Sequence, residues 1–166
     1  MGARHKAREC GLQVLYQLET RGRERPEPGR LPPPVKESPL LRADAGVIDE
    51  ALRDFFENFD APERTHAYTE EIVKGVVDHL SEIDEVIGRN SPRWRVERMA
   101  IVDRNVLRLG VYELLFAKDV PAKVVIDEGV EIARRFGSEQ SSAFVNGVLD
   151  SAARELRPGD VKERGA

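Results

Sequence analysis

The sequence predicts an all-α protein, a compact helical bundle of two packed helical subdomains. Three observations predict it. Apolar residues recur at helical spacing along most of the 166-residue chain. No segment alternates as a half-buried strand does; Lys123-Val124-Val125 is β-prone locally, but it lies inside a 3.6-residue stripe that runs to Phe136. Residues 97–117 are apolar almost all round, so that helix must be surrounded by others.

Taken in order, residues 4–20 read as the first helix, with Cys10, Val14 and Leu18 beside Leu12 and Leu15 facing inward. Residues 21–43 break the periodicity with eight glycines and prolines, among them Pro32, Pro33 and Pro34, and read as a loop of polyproline character. A helix over 44–59 follows, with Asp44 as its cap and Val47, Ala51 and Phe55 inward. Residues 64–80 carry Ile72, Val73, Val76, Val77 and Leu80; Ser81 is expected to cap a short helix through Ile83, Val86 and Ile87. Asn90-Ser91-Pro92 ends it. In the central helix Arg104 and Arg108 are expected on an exposed strip, and Trp94 is expected to anchor its approach by packing. Two helices then meet at a corner in residues 121–156. Gly137 is expected to turn it with a positive φ, Ser138 to cap the second helix, and Gly147 to mark a close helix–helix approach.

These elements divide into an N-terminal subdomain at about 1–90 carrying the insertion 21–43, a C-terminal subdomain at about 91–158, and a tail at 159–166. No apolar run spans a bilayer and no apolar segment follows a basic start, so neither a membrane segment nor a secretory signal is expected. A single cysteine, Cys10, fits a reducing cytoplasm. The net charge of −4 conceals an uneven distribution. Residues 49–87 hold twelve acids and three bases, whereas residues 89–108 hold six arginines against Glu97 and Asp103. Arg4, His5, Lys6 and Arg8 make the start basic as well. Local field, more than total charge, steers a phosphate chain, so the global acidity leaves a nucleic-acid partner open.

Enzyme chemistry finds no support. There is no glycine-rich phosphate loop, no zinc cluster and no nucleophile beside a base. Asp127 and Glu131 share a helix face but lack the Glu-x-x-His partner of di-iron bundles, and His66 and His79 lack a second ligand at metal spacing. No cofactor is expected. Binding is left, with three features that need to converge: the basic start, the segment 89–108, and the polar corner at 138–142, where helical N–H groups attract phosphate. Phe144, one turn beyond the corner, is open between core packing and stacking on a base.

The phrases VPAKVVIDEGVEIARRFGSEQ and FVNGVLD, with VLRLGVYELLF before them and RHKARECGLQVLYQLE at the start, resemble the NusB transcription antitermination factors over nearly the whole chain. Residues 21–46 depart from that pattern. The resemblance implies an all-helical protein of two subdomains that binds boxA-type single-stranded RNA of ribosomal RNA operons. It implies a heterodimer with NusE, a small-subunit ribosomal protein, that helps RNA polymerase read through terminators. It places RNA contacts on Arg4, His5, Lys6 and Arg8 and on Gln140, Ser141 and Phe144, and the NusE contact on Tyr16 and Asp103. His5 replaces a basic residue of several relatives, and Gln140 replaces a frequent acid. Self-association into a homodimer stays open. So do two other readings: a helical scaffold for proteins without RNA binding, and a module like the N-terminal domain of ribosomal RNA cytosine methyltransferases. This chain lacks the cysteine that catalysis would need after Cys10.

Overall fold

Eight helices form among the described residues of the computed structural model, which are 2–21, 40 and 43–162. They are α1 (Ala3–Thr20), α2 (Ala45–Asn58), α3 (His66–Asp78), α4 (Leu80–Arg89), α5 (Ile101–Phe116), α6 (Ala122–Phe136), α7 (Ser141–Leu156) and α8 (Pro158–Lys162). Single 3₁₀ turns at Glu63–Thr65 and Val96–Arg98 lead into α3 and α5. Most of the proline-rich insertion expected at 21–43, and the end of the tail, lie outside the described residues. The start of the tail is helical, because Pro158 is tolerated in a first helical turn and α8 packs on α6 and α7.

The α5 helix is the centre of the bundle. Its residues Arg104 to Leu114 are all buried, and α1, α3, α4, α6 and α7 pack around it. One contiguous apolar cluster results, including Leu15, Ile72, Ile83, Leu107, Val111, Leu114 and Leu149. Small residues let the helices close: a Cβ on Gly110 or Gly129 would come within 2.7 or 2.6 Å of the Leu149 methyls. The close approach expected at Gly147 is absent, since nothing lies within 4 Å of its missing Cβ. That glycine is on the open face of α7, whereas the neighbouring Val148 and Leu149 face the core.

Ion pairs set the directions of the helices. Arg8 of α1 meets Glu113 near the end of α5, and Glu19 of α1 meets Arg104 near its start, so these two helices run antiparallel. Arg104 and Arg108 are therefore not an exposed strip; they are 6% and 1% accessible and converge on the fully buried Glu19. Arg108 also chelates Asp84 of α4 through two bonds of 2.8 Å. Burial works against the Glu19 carboxylate, yet its bonds to Arg104 and Arg108 outweigh burial and hold its pKa below the usual value. The open carbonyls at the end of α5 are met by Arg157, which donates to Glu113, Leu114, Ala117 and Val120 from beyond α7.

The helix ends are partly as the sequence indicates. Asp44 Oδ1 accepts from the Val47 amide at 2.9 Å, capping α2. Ser81 caps nothing, because α4 already begins at Leu80 with His79 before it. Gly137 does not take a positive φ (−99°, with ψ −164°). What excludes a side chain there is space: a Cβ would sit 2.4 Å from Ser141 Oγ and 2.8 Å from the Ala133 carbonyl. Ser138 does not cap α7 either. Its own N–H donates to Ser141 Oγ at 2.9 Å, so the buried Ser141 clasps the corner from inside the helix.

Candidate nucleic-acid interface

Arg4, His5, Lys6 and Arg8 occupy the first turns of α1, and acidic groups from α1 itself, α5, α6 and the loop before α6 hold them. Arg4 donates to Asp119 at 2.9 Å and lies over the Tyr68 ring, 4.8 Å from its centroid. That hydrogen bond raises the Arg4 pKa and lowers that of Asp119. His5 shares a short contact with Glu128 of α6 through Nδ1 and reaches Glu9 at 3.1 Å through Nε2. Lys6 lies 3.8 Å from Glu9. Arg8 is 5% exposed and makes a two-bond fork to Glu113 at 2.7 and 2.9 Å, while the Tyr68 hydroxyl donates to the same carboxylate at 2.9 Å. Burial opposes the charge of Arg8, but Glu113 more than restores it; burial and the Glu113 charge together push the Tyr68 pKa well above the tyrosine range. Arg8 is thus a buried strut beneath the cluster, where the resemblance implies a solvent-facing contact. Arg4, His5, Arg8 and Asp119, with Val124 and Glu128, line an open recess of about 490 Å³.

Long side chains join the start of α1 to α6. His5 pairs with Glu128 and Glu9 with Arg135 (2.8 Å), so the two helices run in the same direction there. From Glu128 to Phe136 is about 12 Å at 1.5 Å per residue. The corner 137–140 follows immediately, which puts the basic start and the corner on one continuous edge. Gln140 is exposed at that corner, Ser141 is buried within it, and Phe144 is half-buried. Phe144 packs on the core with one part and opens to the recess with another.

A second recess, about 220 Å³, opens beside the corner. Ser138, Gln140 and Phe144 form one wall; Trp94, Arg98, Met99, Ala100 and Asp103 form the other. Trp94 is 58% exposed, so it is not the packing anchor the sequence suggests. Met99, five residues later, takes the buried place ahead of α5. Asp103 Oδ1 is shut off from solvent and has no hydrogen-bond partner among the described residues. Arg93, Arg95 and Arg98 are exposed and make no ion pair among the described residues. Tyr16 is 43% exposed on α1, one turn before Glu19. Since Glu19 binds Arg104, Tyr16 and Asp103 belong to helix segments joined by that pair.

Sequence reasoning missed the acids that organise the site: Glu9, Glu113, Asp119 and Glu128. Only Glu113 announces itself, as a lone charge in the apolar run LGVYELLF, where an unpaired carboxylate would be too costly to bury. The others stand on ordinary charged helix faces. No cluster of His, Cys, Asp or Glu able to hold a metal ion occurs among the described residues.

Comparison with known proteins agrees with this architecture. The sequence model described as the NusB family matches residues 5–154. The transcription antitermination protein NusB of Sorangium cellulosum (strain So ce56) is 41% identical over 156 residues, covering 94% of this chain and 95% of that protein. Its counterpart in Anaeromyxobacter dehalogenans (strain 2CP-1 / ATCC BAA-258) is 43% identical over 162 residues, covering 97% of each. T. maritima NusB superposes with a TM-score of 0.70 at 33% identity over 96% of both chains. A chain from the crystal structure of antitermination factors NusB and NusE in complex with double-stranded RNA superposes with a TM-score of 0.67 at 27% identity, over 92% of this chain and 97% of that one. A match that runs from the basic start of α1 through the corner and into α7 means that this chain belongs to the NusB family of transcription antitermination proteins.

Proposed function

We propose that this chain binds boxA-type single-stranded RNA of ribosomal RNA transcripts as a heterodimer with NusE and, in the cytoplasm, helps the transcribing RNA polymerase pass terminators. The observation that carries the reading is the continuous edge along α6, which puts the basic start of α1 in line with the corner at 137–140. Arg4, His5, Lys6, Gln140 and Phe144 are the contact surface, with Arg8 and Ser141 holding it from below. Tyr16 marks the side offered to NusE, whereas Asp103, expected there from the resemblance, lines the recess beside the corner; a relative solved with NusE and double-stranded RNA supports such a complex.

Physics explains why two proteins are needed. The cations of the α1 start already have acidic partners, so each phosphate contact exchanges one charge pair for another, with little net gain. A second protein that adds unpaired cations to the same strand raises affinity through counterion release. Binding of labelled boxA RNA, titrated against salt with and without NusE, tests this. Tight, steeply salt-dependent binding is expected only for the heterodimer. Equal affinity with and without NusE refutes the cooperative reading, and a salt slope near zero favours a protein scaffold.

A further inference from the structure

We propose that the recess between Trp94 and Phe144 is a pocket for a single nucleobase of the bound strand, that Asp103 reads the donor edge of the base, and that the base is guanine. This rests on the RNA-binding reading above and goes beyond it in giving base selectivity to residues outside the corner.

Four features of the recess converge. Trp94 is left 58% exposed in a concave place instead of packing on the core, and Phe144 lines the facing wall. Aromatic faces presented in this way suit a base splayed out of a single strand. The volume, about 220 Å³, is below the roughly 300–1,000 Å³ of pockets for drug-sized ligands and suits one flat ring system. Asp103 lines the recess, and one of its oxygens, Oδ1, is covered and unbonded in the free chain, so turning the carboxylate into the recess toward a ligand's hydrogen-bond donors relieves a defect already present. Finally, Arg98 lines the recess and Arg93 and Arg95 flank Trp94 in sequence, all three exposed and without an ion pair among the described residues.

The donor pattern selects the base. A carboxylate only accepts. Guanine offers two adjacent donors, N1–H and the N2 amino group, on its Watson–Crick edge, a match for two carboxylate oxygens. Adenine, cytosine and uracil have no two adjacent donors: each sets an acceptor beside its one donor group, and that acceptor is repelled by the second carboxylate oxygen. A protein partner's arginine would also satisfy Asp103 and stack on Trp94, but the positive charge of Arg98 at the recess, with Arg93 and Arg95 on either side of Trp94 in sequence, repels a cation and attracts a polyanion.

Trp94 is the only tryptophan in the chain, so its emission reports on this recess alone. The full chain with NusE is titrated with a short oligouridylate and with the same strand carrying one central guanosine. The guanosine strand is expected to quench Trp94 and to bind about ten-fold more tightly. Trp94→Ala is expected to weaken binding about five-fold or more, with Trp94→Phe recovering most of it. Asp103→Asn is expected to erase the guanosine preference while leaving oligouridylate binding and the melting temperature in place. Equal binding of both strands with unchanged emission overturns the pocket and leaves the RNA-binding reading standing. No binding of either strand, or of boxA RNA, removes both. Quenching by NusE alone, with loss of NusE capture in Trp94→Ala, makes the recess a protein contact and overturns the proposal.

Discussion

The start of α1 and the segment ahead of α5 carry similar numbers of cations in similarly short stretches, yet their surroundings differ. At the α1 start, Arg4, His5, Lys6 and Arg8 all have acidic partners, drawn from α1 itself, α5, α6 and the loop at Asp119. Ahead of α5, Arg93, Arg95 and Arg98 have none among the described residues. The first segment packs against helices that bring carboxylates; the second is a turn left exposed among the described residues. Charge counted along a sequence is therefore not charge available to a ligand. Paired cations build and orient the edge, while unpaired ones supply attraction.

The comparison is open to test at several strengths. The largest effect is expected where pairing is deepest: Glu19→Ala leaves Arg104 in the core with backbone carbonyls but no carboxylate, leaves Arg108 with Asp84 and Asn105, and lowers stability by about 3–5 kcal/mol in urea or thermal unfolding. Next is the combined Arg93→Ala, Arg95→Ala, Arg98→Ala variant. Its stability stays within about 0.5 kcal/mol of the parent, since these side chains hold nothing. Its RNA affinity falls more than ten-fold and its salt slope loses about 2, close to 0.7 for each phosphate contact removed. A variant that unfolds instead would break the distinction between the two segments.

A smaller gain is expected from releasing a paired cation. Glu128→Gln removes a negative charge beside Arg8, which lies 3.7 Å away, and leaves His5 with Glu9 as its acidic partner, so RNA binding tightens about two- to five-fold in the heterodimer. Unchanged or weaker binding would mean that orientation by Glu128 matters more than its charge. The smallest effect is in pH dependence. The folded-state pKa of Glu19 is lowered, so the unfolded chain takes up the proton first as pH falls. The stability from this carboxylate is complete above the ordinary glutamate value of about 4.3 and is lost as pH drops through the depressed folded value. Urea unfolding between about pH 6 and pH 3 should show a shallower decline in Glu19→Gln than in the parent.

How much of the site was legible follows from range. The apolar stripe of residues 121–136 and the cap at Asp44 are local patterns, and they form as the sequence indicates. The basic start and the corner were visible as segments, and their likeness to NusB phrases pointed to RNA. Their union on one edge was not visible, because it depends on His5 meeting Glu128 and Glu9 meeting Arg135, more than 120 positions apart. Arg104 and Arg108 were misread for the same reason: on a helix apolar all round, an arginine looks exposed until Glu19 and Asp84 are brought beside it. Trp94 was misread in the opposite sense, since Met99 takes the buried place and leaves the indole outside.

By itself the sequence determined the class of elements, their order and the family, because helical periodicity, caps and motif phrases are written in neighbouring residues. Tertiary structure alone decided which charges are spent on each other and which stay available, and whether an aromatic faces the core or a recess. Those outcomes depend on partners that approach through space, and the Coulomb and packing energies that choose them vary with distance and burial, not with position along the chain.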